Sequence, residues 1–183
     1  MSREILLQQL HTYHERFPKE TLMVERFIDF VESEPRCFER DCWRGHVTGS
    51  AWLVDPTENF LLLTHHKKLD MWLQLGGHSD GDPNTPQVAL REAQEESGCD
   101  VVLVSADILD VDIHEIPARK EEPAHFHFDV RYILQSQQHD FVVGDESMAL
   151  AWAPIYDLER YTTEHSILRM RDKWLAAANP LPR

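Results

Sequence analysis

Apolar residues recur at helical spacing in two stretches at the start of the chain. They lie three or four positions apart over residues 4–16 and again over residues 20–33. Pro18 and Pro35 interrupt the pattern, and a helix usually ends at or before the residue that precedes a proline. The spacing therefore predicts two helices, which form an N-terminal helical extension over residues 1–45.

From His46 onward the pattern changes to short runs of β-prone residues. The runs GHVTGSAWLV and NFLLLTHH are separated by residues 55–59, whose Asp, Pro and Asn favour a turn, so together they predict a β-hairpin. Farther along, apolar and alternating runs predict strands around residues 100–115, 125–135 and 149–153, and helical spacing predicts helices around residues 155–160 and 164–178.

A third long helix is predicted between Thr85 and Gly98. Thr85 is a candidate N-cap residue, and Pro86 follows at the first helical position, where a proline is tolerated. Gly98 can end the helix because glycine adopts the left-handed conformation that many helix ends require.

Three glutamates share one face of this third helix. Glu92, Glu95 and Glu96 stand at positions i, i+3 and i+4, which places their carboxylates within an arc of about 100°. Like charges at this spacing repel each other by a few tenths of a kcal/mol. The cluster is therefore either a solvated acidic surface or a binding site for a cation, and its oxygen ligands suit Mg²⁺ or Mn²⁺.

Composition and charge exclude several classes of function. The 183 residues fit one domain, and no apolar run approaches the roughly 18 residues that span a bilayer. The net charge of −14 disfavours binding to nucleic acid. No secretory signal is recognisable at the N-terminus, so we expect a cytoplasmic protein without a membrane partner. Cys37, Cys42 and His46 have a spacing that could suggest zinc, but the spacing is irregular and no fourth ligand is obvious.

The segment from Gly77 to Cys99 resembles the Nudix box. That pattern is Gly, five residues, Glu, seven residues, and then Arg-Glu-apolar-x-Glu-Glu-x-Gly-apolar. The positions that match at the family's spacing, without insertion, are Gly77, Arg91, Glu92, Glu95, Glu96 and Gly98. The resemblance covers roughly residues 46–160 and implies an α/β fold, a Nudix-type α/β/α sandwich with a mixed sheet. Residues 161–183 would be a C-terminal helix that packs on it.

The resemblance implies divalent-metal-dependent hydrolysis of a diphosphate bond in a nucleoside-diphosphate-linked or related small molecule. The metal ligands of Mg²⁺ or Mn²⁺ would be the Gly76 carbonyl, Glu92, Glu95 and Glu96. The general base would be Glu92 or Glu146, and Glu96 is a further catalytic candidate. Two alternatives stay open, a non-catalytic ligand-binding module and an enzyme similar to isopentenyl-diphosphate isomerases. Many relatives of this family form homodimers.

The chain departs from the box at one position. Pro83 stands where the family has a glutamate that pairs with the box arginine. We expect Asp82, or failing that Asp80, to pair with Arg91 and to support the loop. The loop GGHSDG resembles a subset of Nudix proteins with Gly-Gly-His-x-Asp-Gly at this place.

Polar residues alternate with apolar ones in the run HFHFDV. In a strand, His125, His127 and Asp129 would share one face while Phe126 and Phe128 face the core. Because strands after the box pass beneath the substrate in the Nudix arrangement, the resemblance implies that this face binds substrate, together with His78 of the glycine-rich loop. A solvated sheet face is the alternative.

Overall fold

The computed structural model describes residues 2–119, 122–145 and 147–178 of the chain. Two helices come first, α1 (Arg3–Arg16) and α2 (Thr21–Ser33), joined by a 3₁₀ turn at Pro18–Glu20. These helices confirm the two predicted from apolar spacing.

Strands follow the two helices and alternate with two further helices. The elements after α2 are β1 (His46–Val54), β2 (Phe60–His66), β3 (Met71–Leu73), β4 (Leu75–His78), α3 (Thr85–Ser97), β5 (Val101–Leu103), β6 (Asp110–Ile116), β7 (His125–Ser136), β8 (Ser147–Pro154), a 3₁₀ helix (Ile155–Arg160) and α4 (His165–Ala178). No helix in the described part of the chain is both long enough and apolar enough to cross a membrane.

The eight strands described form one mixed sheet with β1 near its centre. β1 runs parallel to β7, and it pairs antiparallel with β2 and β4. β5 and β6 pair antiparallel with β7, while β3 and β8 pair with β2. The pairing of β1 with β2 confirms the predicted hairpin, and the mixed sheet between helices confirms the α/β/α architecture.

Helices α1, α2 and α3 cover one face of this sheet. The Phe30 ring of α2 stacks on Phe128 of β7 at 3.8 Å between centroids, and Phe27 meets the same ring edge-on at 5.3 Å. Small residues of α3, Ala89 and Ala93, are fully buried in the same apolar cluster. The N-terminal extension thus buries its apolar stripe against the sheet.

Helix α4 covers only part of the opposite face. Its Ile167 and Met170 pack with Trp52 of β1 and with Leu61 and Leu63 of β2. Toward the start of β1 the residues on this face become polar, in the order Ser50, Thr48, His46. One end of the face is therefore apolar and covered by α4, and the other end is polar.

The structure differs from the sequence-based expectations in two local details. The third helix begins at Thr85 with Asn84 as its N-cap, and the Thr85 hydroxyl hydrogen-bonds the Tyr132 hydroxyl at 2.6 Å instead of capping the helix. The short strands β3 and β4 were not predicted. The division of the chain at residues 45 and 160 stays a prediction.

Candidate functional site

Glu92 lies against the glycine-rich strand β4. A Cβ atom on Gly77 would stand 2.3 Å from Glu92 Oε2 and 2.6 Å from its carboxyl carbon, so any larger residue would displace this carboxylate. Burial raises the pKa of the Glu92 carboxyl, although Arg91 beside it acts in the opposite direction. This contact places Glu92, the first of the three glutamates of α3, against the glycine-rich backbone whose Gly76 carbonyl is a predicted metal ligand.

Arg91 connects α3 to the same loop. Its Nη2 donates to the carbonyl oxygen of His78 at 2.8 Å and to Glu92 Oε1 at 2.9 Å. Arg91 forms the expected ion pair with neither Asp82 nor Asp80, and this prediction was wrong. Asp82 Oδ1 instead accepts the backbone N–H of Asn84 at 2.8 Å, which turns the carboxylate into the loop that precedes α3. The carbonyl of His78 thus accepts the Arg91 guanidinium in place of the expected aspartate.

The other predicted metal ligands surround this contact. Glu95 is exposed and Glu96 is half-buried on α3, while Gly76 pairs in register with Ser50 of β1. At the end of α3, Gly98 adopts a left-handed φ of 65° and its N–H donates to the Gln94 carbonyl at 2.8 Å, as expected for a helix terminator. Glu146 lies outside the described residues.

The oxygen ligands predicted for the metal suit a hard cation by their chemistry, but not by their present positions. Carboxylate and carbonyl oxygens are the ligands that Mg²⁺ and Mn²⁺ prefer. Among the described residues, however, the three glutamates of α3 do not form a group that could hold an ion as they stand.

A second group of side chains lies on the sheet face opposite α3. Five imidazole rings form a histidine cluster there, from β1, β4, β6 and β7: His46, His78, His114, His125 and His127. Neighbouring centroids are between 4.8 and 5.4 Å apart. The predicted residues His78, His125 and His127 are thus brought together, and His46 and His114 join them.

Strand pairing assembles the histidine cluster. His46 of β1 stands beside His127 of β7 in the parallel register, and His114 of β6 stands on the other side of His127. Burial lowers the pKa values of the His46 and His78 imidazoles to about 4, with neighbouring positive charges adding to the effect. These two rings are therefore neutral at pH 7.

Two members of the cluster have a fixed ring orientation. His125 Nδ1 lies 2.8 Å from the Pro123 carbonyl oxygen, and His114 Nδ1 lies 3.1 Å from Asp112 Oδ2. By contrast, both ring nitrogens of His46 and Nε2 of His127 are buried without a hydrogen-bond partner.

Asp129 continues the polar face beyond the cluster. Its Oδ1 accepts the hydroxyls of Thr48 and Ser50, each at 2.8 Å, and its Oδ2 accepts Nε of Arg131 at 2.7 Å and Nε2 of Gln74 at 3.4 Å. Four donors on one buried carboxylate indicate a positioning role. The expectation that Asp129 contacts substrate stays a prediction.

A cavity of about 430 Å³ opens beside the histidine cluster. Its wall includes Trp43, whose ring packs edge-on against His125 at 5.7 Å between centroids. The remaining lining residues are mostly acidic: Glu39, Arg40, Asp41, Asp80 and Glu122. The cavity is therefore suited to attract cations.

The site predicted from the sequence lacked two histidines, His46 and His114, and the two aspartates of β6 that pair with Arg131, Asp110 and Asp112. The run DVDIHEI carries Asp110, Asp112 and His114 at every second position, so the alternation that identified β7 also identifies this face of β6. The proximity of β1 to β7 could not be read from the sequence, because it depends on the parallel pairing of distant strands.

Comparison with solved structures decides the fold. No protein-family model and no curated protein matches the chain. A Nudix-family hydrolase from Clostridium perfringens is similar in structure, with a TM-score of 0.54, 24% identity, and coverage of 72% of this chain and 97% of that chain. The chain has the Nudix fold.

Two further structures share the Nudix fold with this chain. An Ap4A hydrolase from C. elegans, solved as a binary complex, aligns with a TM-score of 0.52 and 14% identity over 72% of this chain and 96% of that chain. The NUDIX domain of Shewanella oneidensis NrtR, complexed with ADP ribose, aligns with a TM-score of 0.50 and 13% identity over 82% of this chain and 97% of that chain. These likenesses establish the architecture.

Proposed function

We propose that this chain is a Nudix-type hydrolase that cleaves a diphosphate bond in a nucleoside-diphosphate-linked or related small molecule. The observation that carries the proposal is the seating of Glu92 on Gly77, because it joins the acidic helix to the glycine-rich loop at the spacing of the Nudix box. Arg91 strengthens this junction through the His78 carbonyl. A solvated acidic helix would have no need for either contact.

Glu92, Glu95, Glu96 and the Gly76 carbonyl would hold Mg²⁺ or Mn²⁺. The ion, when bound, neutralises the phosphate oxygens and lowers the pKa of the attacking water. Glu92 accepts the proton of that water in one version of the mechanism, and Glu146 does so in the other. Glu96 is a further catalytic candidate, because it lies one helical turn from Glu92 on the same face of α3.

The polar face beside β4 would bind the substrate. His78 is half-buried and Arg91 holds its backbone carbonyl, which supports a role for its ring in contacting a phosphate oxygen. The net charge of −14 disfavours a nucleic acid as the substrate. Similarity of fold to an Ap4A hydrolase and to a domain that binds ADP ribose supports nucleotide-like substrates. A homodimer and a cytoplasmic location stay predictions.

The test is hydrolysis of a panel of nucleotide sugars, dinucleoside polyphosphates and nucleoside triphosphates with Mg²⁺ or Mn²⁺. We expect turnover that a chelator abolishes, and a decrease of roughly 100-fold or more in kcat for Glu95→Gln and for Glu96→Gln. Glu25→Gln is the matched control, because Glu25 is an exposed glutamate of α2. Undiminished turnover in both α3 variants, or in chelator, would contradict the proposed metal site.

The two alternatives predict different results in the same assay. A ligand-binding module would bind one of these nucleotides, measured by calorimetry, without releasing phosphate or nucleoside monophosphate. An isomerase-like enzyme would leave the diphosphate intact and exchange a carbon-bound proton of an isoprenoid diphosphate with solvent deuterium.

A further inference from the structure

Three imidazoles of the histidine cluster have the arrangement of a metal site. His46, His125 and His127 each offer a ring nitrogen, and the three nitrogens lie within 4.8 Å of one another. Tetrahedral zinc with bonds of 2.0–2.1 Å requires nitrogens about 3.3 Å apart. Small rotations of the His46 and His127 rings about their side-chain bonds would close the difference, while the Pro123 carbonyl holds His125 in place.

The unpartnered nitrogens are the second, independent observation. His46 is 1% exposed, and both of its ring nitrogens lack a hydrogen-bond partner. The Cys42 carbonyl is near this ring but outside hydrogen-bond geometry. Nε2 of His127 is also buried without a partner. Each such group costs about 1–3 kcal/mol, so a native structure normally gives it a partner, which is a protein group, a water or a bound ion.

The surroundings of the three rings are those of metal-binding histidines. The Pro123 carbonyl at 2.8 Å fixes the proton of His125 on Nδ1, which leaves the Nε2 lone pair free to bind an ion. The ring of His114, held by Asp112, packs edge-on against His127 at 5.4 Å between centroids. The neighbouring cavity has four carboxylates and one arginine on its wall, which would concentrate cations beside the cluster.

We propose that His46, His125 and His127 bind a divalent first-row transition-metal ion, with zinc favoured over magnesium. Imidazole nitrogen is a ligand of Zn²⁺, Ni²⁺ and Cu²⁺, whereas Mg²⁺ requires oxygen ligands in octahedral geometry. Three protein ligands would leave a fourth position for water or substrate, and the His78 ring lies 5.0 Å from the His46 ring between centroids. The site differs in position and chemistry from the glutamates of α3, and it does not depend on the proposed hydrolysis.

The first test measures zinc binding by the full chain without an affinity tag. The protein is stripped with a chelator, dialysed, and titrated with Zn²⁺ in a calorimeter, and the bound metal is counted by elemental analysis after gel filtration. We expect one retained equivalent of zinc that excess Mg²⁺ does not displace. Absence of retained zinc would overturn the proposal.

Variants assign the zinc to these three residues. We expect His46→Gln and His127→Gln each to weaken zinc binding roughly 100-fold or more. His165→Gln, in an exposed residue of α4, is the control and should bind as the wild type does. Glu95→Gln and Glu96→Gln should also bind zinc normally, so failure of the proposed hydrolytic site is distinguished from failure of this one. Zinc binding that survives both histidine substitutions would refute the assignment.

A measurement on the wild type alone covers the case in which the variants do not fold. X-ray absorption at the zinc edge should show imidazole scattering from three rings and no sulfur. Sulfur scattering would place the ion at Cys37 or Cys42 instead and would contradict the proposal.

Discussion

Gly77 and Gly144 show how strongly the space around a single residue can vary in this protein. A Cβ on Gly77 would overlap Glu92, whereas a Cβ on Gly144 would have its nearest neighbour, the Glu96 carbonyl oxygen, at an ordinary 3.6 Å. The two glycines therefore form a matched pair near the same acidic helix.

The first prediction is that Gly77→Ala displaces the Glu92 carboxylate and lowers the turnover of the diphosphate substrate about 100-fold. Because the displaced atoms are the end of a flexible side chain, the free energy of unfolding should fall by less than about 1 kcal/mol. Steady-state kinetics and urea unfolding measure the two effects. Gly144→Ala should stay within about 0.5 kcal/mol of the wild type. Equal kinetics for Gly77→Ala and the wild type would show that the Glu92 contact is dispensable.

Asp55 determines the turn between β1 and β2. Its Oδ1 accepts the N–H groups of Asn59 and Phe60 at 2.9 Å, and its Oδ2 accepts the N–H and hydroxyl of Thr57. His139 also faces this carboxylate at 3.8 Å. Although burial raises the pKa of the Asp55 carboxyl, the hydrogen bonds from Thr57 and its neighbours lower it below the ordinary value of 3.8.

The second prediction concerns the pH dependence of this turn. Since the pKa of Asp55 is lower in the folded state, its stabilisation is complete above pH 3.8 and is lost as the pH falls through the folded value. Asp55→Asn should therefore cost about 1–2 kcal/mol at pH 7 and less as the pH falls below 3.8. Urea unfolding at several pH values tests this, with the exposed Asp140→Asn as control. A cost that stays constant with pH would contradict the prediction.

At the scale of elements, the predictions succeeded where the information was local. Helices α1, α2 and α3 and the β1–β2 hairpin follow from apolar spacing, prolines and turn residues within a few positions. β4 was missed because Gly76 and Gly77 have no β-propensity, and pairing with β1 forms this strand.

The candidate site divides in the same way. Glu92 and Gly77 belong to the same box-like segment, and their contact agrees with the spacing seen in the sequence. The partner of Arg91 is a backbone carbonyl, which no pattern of side chains reveals. Alternation predicted that His125 and His127 share a face. Their meeting with His46 depends on tertiary pairing, which a single sequence does not show.

Helix α3 and strand β7 are joined by one buried hydrogen bond. The hydroxyls of Thr85 and Tyr132 lie 2.6 Å apart, and both residues are fully buried. The third prediction is that Thr85→Val and Tyr132→Phe each lower the free energy of unfolding by about 1–3 kcal/mol. Each substitution removes one hydroxyl and leaves the other buried without a partner. The double variant should cost less than the sum, by about 1 kcal/mol in unfolding experiments. Strict additivity would show that the bond contributes nothing.

At the scale of the whole molecule, one buried carboxylate connects three parts of the fold. Asp110 of β6 accepts from Arg131 of β7 at 3.1 Å, and from Arg169 and Lys173 of α4 at 2.7 and 2.5 Å. Lys173 in turn pairs with Glu20 at 2.7 Å, next to the end of α1.

The fourth prediction is that Asp110→Asn lowers the free energy of unfolding at pH 7 by about 3–5 kcal/mol, since it leaves buried cations without their common anion. Urea unfolding monitored by circular dichroism measures the change. Asp107→Asn, in an exposed residue of the loop that precedes β6, should have little effect. A loss below 1 kcal/mol would mean that Asp112 and Asp129 compensate the same charges.

The contact of Lys173 with Tyr13 spans 160 positions of the sequence, and the bond between Thr48 and Asp129 spans 81. On the ribosome, the central strand β1 therefore emerges long before its parallel neighbour β7 is made. Likewise, the Asp110 carboxylate cannot pair with Arg169 and Lys173 before α4 has been synthesised. These long-range contacts cannot all form until α4 has left the exit tunnel, so the tertiary structure of this domain is completed only after its whole length has been synthesised.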